Sequence, residues 1–194
     1  PTQLLSVVFS TLSSYALSLI SSSIEDESLD HTVNEILRFV IIATTPIVVI
    51  TISISDFLVE LLYSPEFKIA SLLLIPYLFG EFSRSISWAI GLPLLAQQRL
   101  ATWTTLEVLW NSVLLVGTAV LIPRVGLWGV VVPYAVSLSV HAIFTYLVQS
   151  TTHRIRIIPQ NVRSLIASIL VIATVSSLRI AINTPAVMAL FAPL

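Results

Sequence analysis

Long apolar runs, separated by short polar stretches, form the dominant pattern of this chain. A helix that crosses about 30 Å of hydrocarbon needs about 20 mostly apolar residues, because its backbone groups must bond to one another where water is absent. The runs that meet this requirement lie at 3–23, 39–63, 69–96, 101–122, 126–149 and 164–182. A partial seventh run begins at 185. The pattern predicts an all-α, polytopic membrane helix bundle of about six to seven transmembrane helices.

The polar connections agree with these spans. The most polar stretch, Glu25 to His31, precedes the second span, and tight turns are predicted at 64–68, 97–99 and 123–126. A longer basic loop is predicted at 151–163. None of the spans shows the strict alternation of polar and apolar residues that membrane β-strands have.

The basic residues predict an orientation. Alternate connections hold two sets of basic residues, of which the larger is Arg38, Arg99, Arg154, Arg156 and Arg163. The smaller set is Lys68, Arg124 and Arg179. Basic residues favour cytoplasmic loops, so the acidic stretch, the 97–99 turn and the 151–163 loop are expected in the cytoplasm.

Prolines interrupt several of the predicted spans. Pro46, Pro76, Pro93 and Pro133 lie inside them, where each removes a backbone donor and bends its helix. Broken helices of this kind build binding sites and hinges in transporters, although they also occur in rigid bundles.

The composition indicates what surrounds these helices. Of 194 residues, 56% are hydrophobic and 10% are charged, whereas a soluble domain has about a quarter charged residues. The missing polar coat indicates that the outside faces lipid, which predicts a multi-pass protein of the cytoplasmic membrane with membrane lipids as partners. The net charge of −1 gives no reason to expect a nucleic-acid partner.

Both ends of the chain are interpreted as cut points in a longer protein. The chain starts at Pro1 and enters an apolar run without a preceding basic stretch or a following cleavage site, so a signal peptide is not expected. The last run, from 185 to 194, has about half the length of a membrane span.

Several connections have a distinctive residue order. A leucine-rich helix end is followed by Tyr63 and Ser64, then by the acidic-aromatic pair Glu66 and Phe67, and then by the small Ala70. The turn Leu94–Arg99 reads Leu-Leu-Ala-Gln-Gln-Arg. Asn111 lies in the next helix, and Pro123–Val130 carries two glycines at its entry to the helix after that.

This order resembles polysaccharide flippases of the multidrug/oligosaccharidyl-lipid/polysaccharide exporter superfamily. The resemblance covers most of residues 1–150, with Ser64 where the family often has glycine. It implies two six-helix bundles around a central cavity, with 1–150 as five transmembrane helices of the second (C-terminal) bundle. Residues 151–194 would be a cytoplasmic basic loop and the start of additional C-terminal helices. The implied activity is transport of a lipid-linked oligosaccharide by alternating access, which would serve the assembly of cell-surface polysaccharide.

Charges inside the spans are the first candidates for function. A charge at the centre of a membrane costs at least about 2.5–3.5 kcal/mol, and such groups face a cavity or a partner. Glu81 and Arg84 are three residues apart, which places them on one helix face. Both are predicted to bind substrate, with Arg84 attracting a diphosphate or an acidic sugar. The alternative is a structural ion pair that neutralises two buried charges.

Further candidates lie in the fourth and fifth spans. Glu107 and Asn111 are four residues apart and share a face. Asn111 is predicted to bind substrate, and Glu107 to carry a coupling proton or sodium ion. The alternatives are a solvated carboxylate and an amide that bonds a neighbouring helix. His141, in the middle of the fifth span, is a second ion-coupling candidate because histidine titrates near neutral pH; the alternative is a hydrogen bond between helices. Asp56 is expected to face water beside Lys68.

Some chemistry has no counterpart in the sequence. There is no phosphate-binding Gly-Lys-Ser/Thr loop, no metal-ligand spacing and no nucleophile motif. We therefore expect a protein that is not an enzyme and that has no metal or cofactor. Two rivals remain. An ion-coupled multidrug exporter would share the fold, whereas a membrane-embedded polysaccharide polymerase or ligase would need a large outward loop that the spacing of the spans does not leave.

Overall fold

The structure is a computed structural model whose described residues form helices joined by short connections. It describes residues 15–23, 28–62, 67, 69–152 and 154–190. The helices are α1 (15–23), α2 (Leu29–Ser53), α3 (Ser55–Leu62), α4 (Ile69–Ala96), α5 (Leu100–Val125), α6 (Trp128–Thr152) and α7 (Pro159–Leu190). The first part of the predicted span 3–23, residues 25–27 of the acidic stretch, residues 64–66 and Lys68 of the predicted turn, and residues 191–194 lie outside the described residues.

Within the described residues, four helices are long and apolar enough to cross a membrane, which indicates a multi-pass membrane protein. They are α2, α5, α6 and the part of α7 from Pro159 to Ala181. Helix α4 matches the predicted 69–96 segment and is longer than α2, α5 and α6. It carries the charged pair Glu81 and Arg84.

The predicted second span, 39–63, is wrong in both bounds. Helix α2 begins at Leu29 and ends at Ser53, and a break at Ile54 separates it from α3. The side-chain hydroxyl of Ser53 donates to the Val49 carbonyl, and that of Ser55 donates to the Ile52 carbonyl. Serine hydroxyls that bond nearby carbonyls compete with the helical ladder, and two such serines flank this break.

The predicted basic loop at 151–163 is also shorter than expected. Helix α6 continues to Thr152, and α7 begins at Pro159, a residue suited to the first position of a helix. Arg163 therefore lies within α7. The predicted separate span from 185 is instead a continuation of α7 to Leu190. The turn predicted at 123–126 narrows to Gly126 and Leu127, because α5 extends to Val125.

Helix α4 lies at the centre of the packing. It packs most extensively on α6 and on α2; α5 packs mainly on α6, and α7 packs on α2. An apolar core of α2, α4 and α7 side chains includes Leu37, Ile41, Ile52, Phe82, Ile90 and Ile172. Close approach depends on glycine: a Cβ at Gly129 would lie 2.4 Å from the backbone nitrogen of Ile122. Small residues at such crossings let membrane helices pack closely.

All four predicted intrahelical prolines lie inside helices, at Pro46, Pro76, Pro93 and Pro133. Proline cannot donate to the carbonyl one turn before it. Close to the Pro93 break, the buried Gln149 of α6 donates its amide to the Ile90 carbonyl at 2.7 Å. The amide supplies a carbonyl of the interrupted helix with a partner from the neighbouring helix.

A polar clasp fastens α7 to the start of α2. The buried Asn34 donates to the Arg156 carbonyl at 2.8 Å and accepts from the Ile158 backbone N–H at 2.9 Å. Asp30 accepts from the Arg156 N–H, and the buried Asn161 donates to the Asn34 carbonyl, each at 2.8 Å. The 154–158 segment is not helical, and these side chains bond its backbone groups. We refer to these contacts as the Asn34 clasp.

Two more polar contacts tie α7 to α2 and α3. Halfway along the helices, Thr45 donates to Ser168 at 2.8 Å. At the far end, Arg179 forms an ion pair with Asp56, and both side chains are largely buried. The expectation that Asp56 faces water beside Lys68 is therefore wrong, because α7 supplies a cation that the spacing along the chain does not reveal.

The clasp predicts that Asn34→Ala loosens the 154–158 segment. Buried donors left without acceptors cost about 1–3 kcal/mol, so the variant should unfold at lower denaturant concentration in detergent micelles. Trypsin should also cut after Arg154 or Arg156 several-fold faster than in the parent. His31→Ala is the matched control, since His31 is on the same turn but pairs with Glu35. Equal cleavage of both variants would contradict this role of Asn34.

Candidate functional site

The predicted pair Glu81 and Arg84 forms the centre of a polar group between α4 and α6. Oε1 of Glu81 lies 3.6 Å from Nη1 of Arg84 and accepts a hydrogen bond from the Tyr134 hydroxyl of α6. Tyr77, one turn before Glu81, stacks on Tyr134 with ring centroids 5.1 Å apart and planes 10° from parallel. We refer to Tyr77, Glu81, Arg84 and Tyr134 as the tyrosine–carboxylate cluster.

The two charges of this cluster differ in exposure. The Glu81 side chain is 31% exposed, whereas that of Arg84 is 61% exposed. The Glu81 carboxylate is therefore partly covered by the Tyr134 phenol and the Arg84 guanidinium, whereas the outer side of the guanidinium is exposed. Glu81 is the only ion-pair partner of Arg84 in the described part of the chain. Arg84 thus has donors available for an anion.

His141 occupies a second polar group, deeper in the same helix interface. Its Nδ1 lies 2.7 Å from the Ser87 hydroxyl of α4, which lies 3.2 Å from the Thr145 hydroxyl. Both hydroxyl-bearing residues are fully buried, and His141 is 4% exposed. The rings of Trp103 and Trp110 from α5 flank the imidazole, with centroids 6.4 and 6.3 Å away. His141 thus forms a hydrogen bond between helices, which was the alternative to an ion-coupling role in the sequence analysis.

Glu107 and Asn111 lie on the outer side of α5. Oε2 of Glu107 accepts from the Trp110 indole N–H at 2.6 Å, and the Asn111 amide donates to the Glu107 backbone carbonyl at 2.7 Å. Together with Thr118, both residues line an open groove of about 810 Å³. Asn111 therefore makes no bond to another helix among the described residues, and the alternative that it joins two helices receives no support.

The structure brings some of the predicted site residues together and separates others. Glu81 and Arg84 are paired, and His141 lies within electrostatic range of both Arg84 and Glu107. Asn111 belongs to the groove of α5, whose lining contains neither Glu81 nor Arg84. The three predicted substrate-binding residues thus fall at two places, with His141 between them.

Sequence reasoning missed several members of these groups. Tyr77 and Tyr134 complete the tyrosine–carboxylate cluster, and Ser87 and Thr145 hold His141. A signal was present in α6, where His141, Thr145 and Gln149 follow one another at a spacing of four. This spacing places three polar side chains on one face of a membrane helix, and all three are buried against α4.

No metal ligand set accompanies the site. Within the described ranges, no group of three or more His, Cys, Asp or Glu side chains is placed to hold a metal ion. The described side chains of the site interact by charge pairing, hydrogen bonding and aromatic stacking.

Comparison with known proteins adds no assignment. No protein-family model matches the chain, and neither the curated proteins nor the solved structures contain a significant match.

The cluster predicts energetic coupling between Glu81 and Tyr134. Glu81→Ala and Tyr134→Phe each remove the same hydrogen bond, so the double variant should lose less stability than the sum of the two. Contacting polar pairs show interaction energies of about 0.5–3 kcal/mol in such cycles. Unfolding by denaturant in mixed micelles measures all four proteins. Tyr146→Phe, on the same helix, replaces Tyr134→Phe in the control cycle, which should be additive; an additive Glu81/Tyr134 cycle would refute the coupling.

Proposed function

We propose that this chain is part of a transporter in the cytoplasmic membrane that moves a lipid-linked oligosaccharide across it by alternating access. The observation that carries the proposal is the tyrosine–carboxylate cluster, which holds an exposed guanidinium within a bundle of apolar helices. Energy, if the cycle needs it, comes from an ion gradient. The family resemblance supplies the substrate class, and the cluster supplies chemistry that suits it.

The exposed Arg84 supports an anionic substrate. A guanidinium at this depth is costly in hydrocarbon and requires water or an anion next to it. Guanidinium groups bind phosphate oxygens through paired N–H donors, more specifically than ammonium groups do. A diphosphate that joins a polyprenyl chain to a sugar is an anion of this kind. The neighbouring tyrosines offer apolar ring faces with polar edges, which suit a sugar entering from a watery cavity.

The packing supports a division into moving parts. Helix α7 is tied by polar contacts to α2 at its start and in the middle and to α3 at its far end, and α4 and α6 are joined through their buried polar side chains. Between α2 and α4 the contact is mainly apolar. Apolar surfaces slide or rock with fewer specific bonds to break than polar ones. Alternating access requires one set of helices to move against another around a site near the middle of the membrane.

The multidrug exporter is the second candidate, and the groove of α5 favours it. The groove is lined by Glu107 and apolar or neutral side chains, with no basic residue among its lining. A carboxylate in an apolar groove attracts a cationic amphiphile. The two candidates therefore bind their substrates through different residues, Arg84 for the glycolipid and Glu107 for the cation.

The proposal predicts that Arg84→Ala strongly slows glycolipid transport. Loss of a hydrogen bond to a charged group costs about 1.5–3 kcal/mol, or roughly tenfold to a hundredfold in rate. The assay is transport of a fluorescent polyprenyl-diphosphate oligosaccharide into proteoliposomes containing the full-length protein. Arg124→Ala is the matched control, because Arg124 is an exposed arginine in the last turn of α5. Arg84→Lys should recover only part of the activity.

The same proteoliposomes distinguish a multidrug exporter from a glycolipid transporter. Unchanged glycolipid transport by Arg84→Ala would contradict the proposal. Efflux of the cation ethidium that is blocked by Glu107→Gln but not by Arg84→Ala would favour the multidrug exporter instead.

A further inference from the structure

One buried nitrogen in the described part of the chain is left without a partner in a place where charge is available. Nε2 of His141 is buried and makes no hydrogen bond to any described residue. Leaving a buried polar atom unpaired costs about 1–3 kcal/mol, so helix packing alone does not explain a histidine here. Its other nitrogen, by contrast, is held at 2.7 Å by Ser87.

The hydrogen bonds around His141 are compatible with a tautomer in which Nε2 is free to take a proton. In that tautomer Nδ1–H donates to the Ser87 oxygen, and the Ser87 hydroxyl donates to Thr145. Nε2 carries the lone pair in that tautomer. A proton added there forms one new N–H bond, converts the neutral imidazole to an imidazolium, and leaves the bonds to Ser87 and Thr145 intact.

The counter-charge for such an imidazolium is Glu107. The charged groups within electrostatic range of His141 in the described residues are Glu107 on α5 and Arg84 on α4. Arg84 repels an imidazolium and is itself paired with Glu81. Trp110 contacts both members, since its indole N–H holds Oε2 of Glu107 and its ring lies beside His141. The other carboxylate oxygen, Oε1, accepts from no described residue.

The two groups also differ in access to the outside. Glu107 lines the open groove of α5, whereas His141 is buried behind Trp103 and Trp110. A proton can therefore reach the carboxylate from the groove before it reaches the imidazole. A buried imidazolium is costly unless it is paired with an opposite charge, so protonation of His141 requires an ionised Glu107.

We propose that His141 and Glu107 form a proton-binding pair, in which Nε2 of His141 takes up one proton and the Glu107 carboxylate is its counter-charge. The existence of this proton-binding site does not depend on the proposed function. Its role does rest on the proposed function: in a transporter, the proton bound here is the coupling ion, in preference to sodium. Sodium prefers several oxygen ligands, whereas the atom left open here is a nitrogen lone pair.

The two flanking indoles make the site observable without transport. A charged imidazolium beside an indole quenches its emission, so the fluorescence of Trp103 and Trp110 reports the protonation of His141. The experiment uses the full chain in lipid nanodiscs, with Trp88→Phe and Trp128→Phe to remove the other two indoles. We expect a one-proton transition between about pH 5 and 8, the range in which histidine titrates.

Matched variants decide the outcome. His141→Gln and Glu107→Gln should each lose the transition, while His31→Gln should keep it, because His31 is exposed and far along the chain from the site. A transition that persists in His141→Gln, or none in the parent between pH 4 and 9, would overturn the proposal. Should His141→Gln fail to fold, nitrogen NMR of the parent with labelled histidine follows Nε2 directly, and a shift that does not titrate rejects the site.

The proton site and the transport proposal can fail separately. If the fluorescence transition is present but no glycolipid moves in the proteoliposomes, the proposed function is wrong and the proton-binding pair stands. If glycolipid moves and Nε2 does not titrate, the reverse holds.

Discussion

A polar group in the apolar interior of this bundle is costly unless it finds a partner inside the protein, and this constraint shapes most of the structure. Backbone groups meet it by forming helices. Near Pro93 the Gln149 side chain of α6 donates to the Ile90 carbonyl of α4, and the Asn34 side chain of α2 bonds the backbone of the extended 154–158 segment. Charges meet it in pairs, as at Glu81 with Arg84 and at Asp56 with Arg179.

The same constraint explains which parts of the fold the sequence predicts. Helices α4, α5 and α6 lie close to the predicted segments because their apolar runs are long and their ends are marked by short turns. The early start of α2 and the short α6–α7 connection were missed. Both depend on the Asn34 clasp, whose members are more than 120 positions apart. Local patterns carry no information about a partner at that distance.

The candidate site also has features that the sequence predicts and features that it does not. The Glu81–Arg84 pair is predictable because both residues lie on one helix face, whereas the participation of Tyr134 depends on how closely α6 approaches α4. That approach is made at Gly80, where a Cβ would lie 2.9 Å from the Tyr134 ring. His141 was recognised as polar and central, but its one unpaired nitrogen is a property of packing. The grouping of Glu107 with His141, rather than with Asn111 alone, likewise requires the orientation of Trp110.

The Asn34 clasp also bears on how the protein is made. A ribosome completes Asn34 well before it reaches Arg156, since 122 positions separate them, and elongation proceeds at about 5–20 residues per second. During that interval of several seconds, α2 enters the bilayer with an amide that has nothing from α7 to bond. Insertion machinery or water at the membrane surface must shelter this amide until α7 is synthesised. The last described helix is therefore what completes the burial of one of the earliest.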